Sequence, residues 1–99
     1  MDYTNKKVIV RCNRAGVFYG ILKEYDKINR EATLTDCRRL WYWKGACSLS
    51  EMAVSGVKKT RDCKFSVIVP EMVVMEVIEL LPASEDAIKS IEEVEIWRY

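Results

Sequence analysis

Between Lys7 and Trp43 the chain carries three runs rich in β-branched and aromatic residues, broken only by short polar segments. That spacing dictates strands joined by turns. Lys7-Val-Ile-Val-Arg-Cys12 is the first strand. Asn13-Arg-Ala-Gly16 is a turn, because Asn and Gly tolerate positive φ. Val17 to Tyr25 is the second strand, and Gly20 within it marks a bulge or a close backbone approach. Asp26 to Arg30 is a hairpin loop, and Glu31 to Trp43 is the third strand. Breaks this short join antiparallel neighbours. The third strand has no cleanly polar face. Thr33, Thr35, Cys37, Arg39, Trp41 and Trp43 alternate with Leu34, Asp36, Arg38, Leu40 and Tyr42. Both faces are therefore expected to meet protein, a ligand or a second subunit.

Lys44-Gly-Ala46 ends this meander. Ser48, with Glu51 three residues on, forms a capping box that predicts about two turns of helix. Leu49, Met52 and Ala53 share its apolar face, and Gly56 terminates it in the left-handed conformation. Val57 to Cys63 is a basic connector. Phe65 to Val69 reads as a strand that Pro70 interrupts, since proline cannot donate to a ladder. Met72 to Leu81 fits strand or helix by periodicity, and Val73, Val74, Val77 and Ile78 favour strand. Ser84 caps a second helix, where Glu85 and Asp86 suit the positive end of the dipole. Ala87, Ile88 and Ile91 form its apolar stripe, and Glu85, Lys89 and Glu93 are spaced for ion pairs. Val94 to Tyr99 is too aromatic for a solvated tail and is expected to pack back on the domain or on a neighbour. The expected fold is α+β, a mainly antiparallel twisted sheet with two short helices, in one domain over residues 1–99. With 49% apolar residues such a chain closes one modest core without disulfides or metal.

Charge narrows the partners. The chain has 16 basic and 15 acidic residues, a net +1, so no global field favours polymeric nucleic acid or an anionic membrane. No apolar stretch reaches the ~18 residues of a membrane span. The Lys58–Lys64 run is basic and the Glu85–Glu95 run acidic, and the ordinary reading of each is a solvated face. Cys12, Cys37, Cys47 and Cys63 include no C-x-x-C pair. With no export signal they are expected to be free thiols in a reduced cytosol, and no metal is expected. There is no histidine, which removes the usual general base and any Ser-His-Asp or Cys-His arrangement. No cofactor and no catalytic residue is expected.

The densest functional signal is Arg38-Arg-Leu-Trp-Tyr-Trp43. Guanidinium groups hold phosphates by paired hydrogen bonds, and aromatic faces stack on nucleobases. The ordinary alternative is that Trp41 and Trp43 are core, with arginines stacked over them. Arg11 stands in the first strand, Phe65 follows the basic connector, and Trp97-Arg98 lies where a tail folds over a site or seals a subunit contact. No Gly-rich phosphate loop occurs, so a phosphate must be met by side chains and stray amides.

The segment Asp36 to Ala53, together with Ala15-Gly-Val-Phe-Tyr-Gly20, Cys63-Lys-Phe65 and the Ile78–Arg98 end, resembles a family of small phage and prophage proteins, identified as the first-described Thoeris anti-defence proteins. The resemblance implies a non-enzymatic sponge in the cytoplasm of an infected bacterial host. Such a protein binds cyclic ADP-ribose isomers such as glycocyclic ADP-ribose, and in some members the cyclic di- and trinucleotides of the CBASS system, and it works as a dimer that can assemble into a hexamer. By position along the chain, the resemblance implies Arg11, Arg39, Phe65 and Arg98 as the ligand-binding residues. Arginines would meet phosphates and the phenylalanine would meet adenine. Where the family's pocket uses an asparagine, this chain has Met75. A rival expectation is a small phage adaptor that binds and inhibits a host enzyme through the aromatic strand and tail.

Overall fold

The computed structural model describes residues 2–98. Strands β1 (Lys7–Cys12), β2 (Gly16–Asp26) and β3 (Glu31–Tyr42) form the antiparallel meander. Helix α1 (Leu49–Ser55) and a 3-10 turn (Thr60–Asp62) follow. Next come β4 (Lys64–Phe65), β5 (Val69–Val74), β6 (Val77–Pro82) and helix α2 (Glu85–Glu93). The strands make one sheet in the order β4-β3-β2-β1-β6, with β5 also paired to β3, and these pairings are all antiparallel. The fold is α+β.

The sheet coils on itself. β5 ends beside Ala32, whose partner on β2 is Tyr25, while β6 begins beside Cys12, whose partner on β2 is Gly16. Laid flat, those two points would stand about 30 Å apart along β2. Yet only Met75 and Glu76 separate β5 from β6, and three Cα steps reach no more than about 11 Å. The outer strands must therefore converge. Val77 N–H donates to Arg30 O and Asn13 N–H to Glu76 O, which ties the connection to both neighbouring turns.

Coiling gives the sheet two buried faces. Val8, Val10, Cys12, Phe18, Leu22, Leu34, Cys37, Val74 and Val77 fill the inside of the curl. Ile9, Tyr19, Leu40 and Phe65 form the outer face, covered by Met52 and Ala53 of α1 and by Ala87 and Ile91 of α2. The alternation of Val8, Ile9 and Val10 between the two layers is the period-2 signature of a strand. The Cα radius of gyration, 12.4 Å, matches the roughly 12.6 Å of one compact body of this length.

Asp36 explains the mixed faces of β3. Ile21 pairs with Thr35, but Tyr19 pairs with Arg38, so β3 carries one extra residue. Asp36 takes φ 47° and points to solvent. This is a β-bulge, and it switches which residues face inward. Leu34 and Cys37 both reach the inner layer, while Leu40 belongs to the outer one. Gly20 lies opposite. A Cβ there would meet Thr35 O at 3.0 Å and Cys37 Cα at 3.1 Å, so any larger residue would require the bulged backbone to give way by a few tenths of an ångström.

Several expectations change. Phe65–Val69 is not one strand, because β4 stops at Phe65. Pro70 does not interrupt a strand. It is the second residue of β5, which pairs with β3 at the sheet margin, where a missing N–H is tolerated. Met72–Leu81 splits into two strands at Glu76, which has φ 57°. Ser48 Oγ accepts the Glu51 N–H as a cap, but Glu51 returns to the Cys47 N–H rather than to Ser48. Gly56 ends α1 with φ 76° and ψ −161°, outside the left-handed helical well but open to glycine. Ser84 caps α2 by accepting the Ala87 N–H. Among the described residues the ion pairs are Lys7–Glu92, Arg11–Glu79 and Lys23–Glu71, and Lys89 joins none. Tyr99 lies outside the described residues, but Val94, Ile96 and Trp97 of the tail pack back on the domain as expected, while Glu95 and Arg98 are exposed. No helix among the described residues is long and apolar enough to cross a membrane.

Candidate ligand-binding site

The bulge at Asp36 sends the adjacent arginines to opposite faces. Arg38 goes outward and is buried, 3% exposed. Its Nε donates to Ser66 O at 3.2 Å. Its Nη1 donates to Ile91 O at 3.2 Å and Val94 O at 2.9 Å, and its Nη2 to Glu95 O at 3.4 Å. The guanidinium lies 5.3 Å from the centre of the Phe65 ring. The Ile91, Val94 and Glu95 carbonyls lie at the negative C-terminal end of α2, whereas Ser66 O belongs to the segment after β4. Arg38 is thus a clamp that fixes the end of α2 to the sheet.

Arg39 goes inward, with its guanidinium 4.6 Å from the Phe18 ring centre and Nη1 donating to Ala15 O. None of the ion pairs among the described residues includes it. Its backbone holds Ser66: Arg39 N–H donates to Ser66 Oγ at 2.8 Å, and Ser66 N–H donates to Arg39 O at 2.9 Å.

Beyond Arg39 the strand is again irregular. Leu40 pairs with Phe65 and Tyr42 with Lys64, leaving Trp41 as the extra residue. Trp41 is 61% exposed, so it is not core, whereas Trp43 packs against the outer cluster. The tail crosses here. Ile96 bridges to Phe65 in parallel, and Trp97 N–H donates to Phe65 O at 2.9 Å. The Trp97 ring then meets Trp41 with centroids 4.9 Å apart and planes tilted by 37°. Lys64 Nζ lies 5.9 Å from Trp41, 5.9 Å from Tyr42 and 5.3 Å from Trp97, within cation–π range of three rings. Arg39, Trp41, Ser66, Val67 and Trp97 line a shallow cleft of about 330 Å³, with no carboxylate side chain among the described residues of its wall.

The sequence-predicted residues are placed unevenly. Arg39 is in the wall, and Arg98 is exposed next to Trp97. Phe65 adjoins the cleft through β4, but its ring is fully buried and offers no open face in this conformation. Arg11 stands apart. It is on β1, three strands or about 14 Å across the sheet from β4, and its Nε donates to Glu79 at 2.8 Å. Met75 is exposed in the β5–β6 connection and borders a different cleft beside Arg39. Sequence reasoning missed Lys64. Its one sequence signal is its place beside Phe65, because β4 carries it to the edge of β3 where the aromatics emerge.

The thiols are unbridged. Cys12, Cys37 and Cys63 are buried and Cys47 is exposed. Burial pushes the Cys37 thiol up to about 11, against a smaller opposing pull from Arg39.

The chain belongs to a family described as a domain of unknown function (DUF6948), which matches residues 5–91. That span runs from before β1 into α2 and stops short of Trp97. Comparison with curated proteins finds no match.

Proposed function

We propose that the protein binds a small phosphate-bearing nucleotide signal and holds it unchanged, sequestering the signal in the cytoplasm of an infected bacterial host and so blunting anti-phage defence. The observation that carries this reading is the exposed Trp41–Trp97 pair with Lys64 against both rings and Arg39 in the same wall. A base stacked on Trp41 contributes roughly 1–3 kcal/mol. Arg39 and Arg98 supply charge-assisted bonds to phosphates, each about 1.5–3 kcal/mol. Phe65 supports the site from below rather than touching the base. Arg11 reaches a ligand only if that ligand or a second subunit extends across the sheet. Sequestration needs nanomolar affinity, about −12 kcal/mol, which a base and two phosphates can supply.

Holding rather than transforming is favoured by Ser66, the hydroxyl in the wall. Its oxygen already accepts the Arg39 N–H, and its proton goes to Val67 O at 2.9 Å, so no base stands ready to activate it. The resemblance to the Thoeris anti-defence proteins points to cyclic ADP-ribose isomers first, and to cyclic di- and trinucleotides second.

The test is to incubate the purified protein with these signals, denature it by heat and analyse the released ligand. Intact release, reduced by Trp41→Ala and Lys64→Gln, is expected. A converted product would make the protein an enzyme. No uptake at all would favour a protein-binding adaptor, a reading that draws on the exposed Trp41, Tyr42, Val67, Ile68 and Ile96. That same apolar surface supports self-association into at least a dimer. Light scattering at micromolar concentration checks it, and a clean mass of 11.5 kDa refutes it.

A further inference from the structure

Arg39 also walls a second cleft, whose lining shares no other residue with the tryptophan cleft. It holds about 630 Å³ at the mouth of the curled sheet. One rim is the β1–β2 turn, with Asn13, Arg14 and Ala15. The other is the β5–β6 connection, with Met75 and Glu76. Phe18, Met72, Val73 and Val74 give it apolar sides. Its charged groups are Arg14, Arg39 and Glu76, two cations less one carboxylate, a net +1.

Arg39 is held in place before any ligand arrives. One face of its guanidinium lies on Phe18, and Nη1 is fixed by Ala15 O. A Cβ built on Gly16 would lie 3.5 Å from Nη1, so the turn packs at ordinary contact distance against the guanidinium. No buried side-chain nitrogen or oxygen among the described residues lacks a partner, so the remaining Arg39 donors are open to solvent. The charge is felt inside the curl, where Arg39 pulls the Cys12 and Cys37 thiols down against the larger effect of burial. The rims are tied together, since Asn13 N–H donates to Glu76 O at 2.8 Å. Arg14 and Glu76 themselves sit at φ 75° and φ 57°, in the left-handed region. A fixed guanidinium among apolar walls, with little ordering left to do on binding, is the arrangement that grips an anion carrying an apolar body.

We propose that this mouth is a second binding site, separate from the Trp41–Trp97 cleft, for a small organic monoanion. The single carboxylate or sulfonate head meets Arg39, and the apolar body lies on Phe18, Met72 and Met75. Glu76 on the rim opposes a second negative charge.

The experiment is a titration of the whole chain with naphthoate and with its neutral methyl ester, read by amide NMR shifts. Saturable binding of naphthoate is expected, with shifts at Ala15, Gly16 and Val74 to Val77, and weaker binding of the ester. Arg39→Gln should weaken naphthoate roughly ten- to a hundredfold, as loss of a charge-assisted bond requires. Two rim variants that leave the core alone give independent readouts: Arg14→Gln should weaken binding, and Glu76→Gln should tighten it. Lys64→Gln, which disables the tryptophan cleft, should leave naphthoate affinity unchanged. The two sites can therefore fail separately. The proposal is overturned if naphthoate shifts Trp41 and Trp97 instead, if the ester binds equally well, if the rim variants change nothing, or if no binding is found at millimolar ligand.

Discussion

Replacing Arg38 and Arg39 in turn should give opposite phenotypes, although the two are neighbours in the chain. Arg38→Met withdraws donors from four carbonyls: Ser66, Ile91, Val94 and Glu95. Not all are left unpaired. Ile91 O still accepts the Val94 N–H at 3.3 Å, and Glu95 is exposed enough for water to replace the guanidinium. Val94 O, and in part Ser66 O, bear the loss, each about 1–3 kcal/mol. The methionine restores apolar contact with Phe65. The net expected loss is about 2–4 kcal/mol. In a domain of this size 1 kcal/mol moves Tm by roughly 4–8 °C, so Tm should fall by roughly 8–30 °C. Arg39→Gln removes a partly exposed side chain with one backbone hydrogen bond and should cost about 1 kcal/mol or less. It should instead lose nucleotide uptake. Urea unfolding followed by tryptophan fluorescence measures the stabilities, and the heat-release assay measures uptake. If Arg38→Met stays within about 1 kcal/mol of the parent, or Arg39→Gln is equally destabilising, the assignment of clamp and ligand residue is refuted.

Gly56→Ala should destabilise by roughly 2–4 kcal/mol, because it adds positive-φ strain to overpacking. Its Cβ would fall 2.0 Å from Ser90 Oγ, which accepts the Val57 N–H. Adding Ser90→Ala should recover part of the loss, and denaturant melts of the single and double variants decide it. In native protein a thiol reagent should modify Cys47 quickly and Cys12, Cys37 and Cys63 only as the fold opens, giving four thiols after denaturation. Fast native modification of more than one thiol contradicts the burial. Burial pushes the Glu92 carboxyl up, but hydrogen bonds from Lys7 and Tyr19 and the charges of Lys7 and Arg38 outweigh it, so Glu92 ionises below its usual range. A depressed folded-state pKa gives stability that is complete above the ordinary carboxylate value and is lost as pH falls through the folded one. Glu92→Gln should therefore narrow the stability difference between about pH 6 and pH 3. Acid unfolding curves of equal steepness and spacing for the two proteins would refute the coupling.

Local chemistry was legible in the sequence wherever it acts over a few residues. Ser48 and Ser84 cap the helices they were expected to cap, and β1 spans Lys7–Cys12 as its β-branched run indicates. What escaped was set by pairing across the sheet. Met72–Leu81 reads as one apolar run, yet it ends on one margin of the sheet and restarts on the other. Nothing within ten residues encodes the coil that brings those margins together. Pro70 looks like a break until its neighbours are known to belong to a marginal strand.

The site turns on a single inserted residue. With perfect alternation along β3, Arg39 would share the outer face with the residues two places either side of it, and Arg38 would face inward beside Leu34 and Leu40. The sequence hints at a conflict, because no assignment of faces buries Leu34, Cys37 and Leu40 on consistent sides. It does not say where the slip lies, since Asp36 has no special preference for a bulge over a turn or a surface position. Gly20, sixteen residues earlier, holds the other half of the answer: a Cβ there would stand 3.1 Å from Cys37 Cα and press the bulged backbone away by a few tenths of an ångström. Bulge and glycine together turn Arg38 into a clamp and leave Arg39, held by Phe18 and Ala15 O but in no ion pair among the described residues, between two clefts. A string of six residues therefore holds both the clamp and the side chain on which the proposed recognition rests, and the partition between them is decided outside the string.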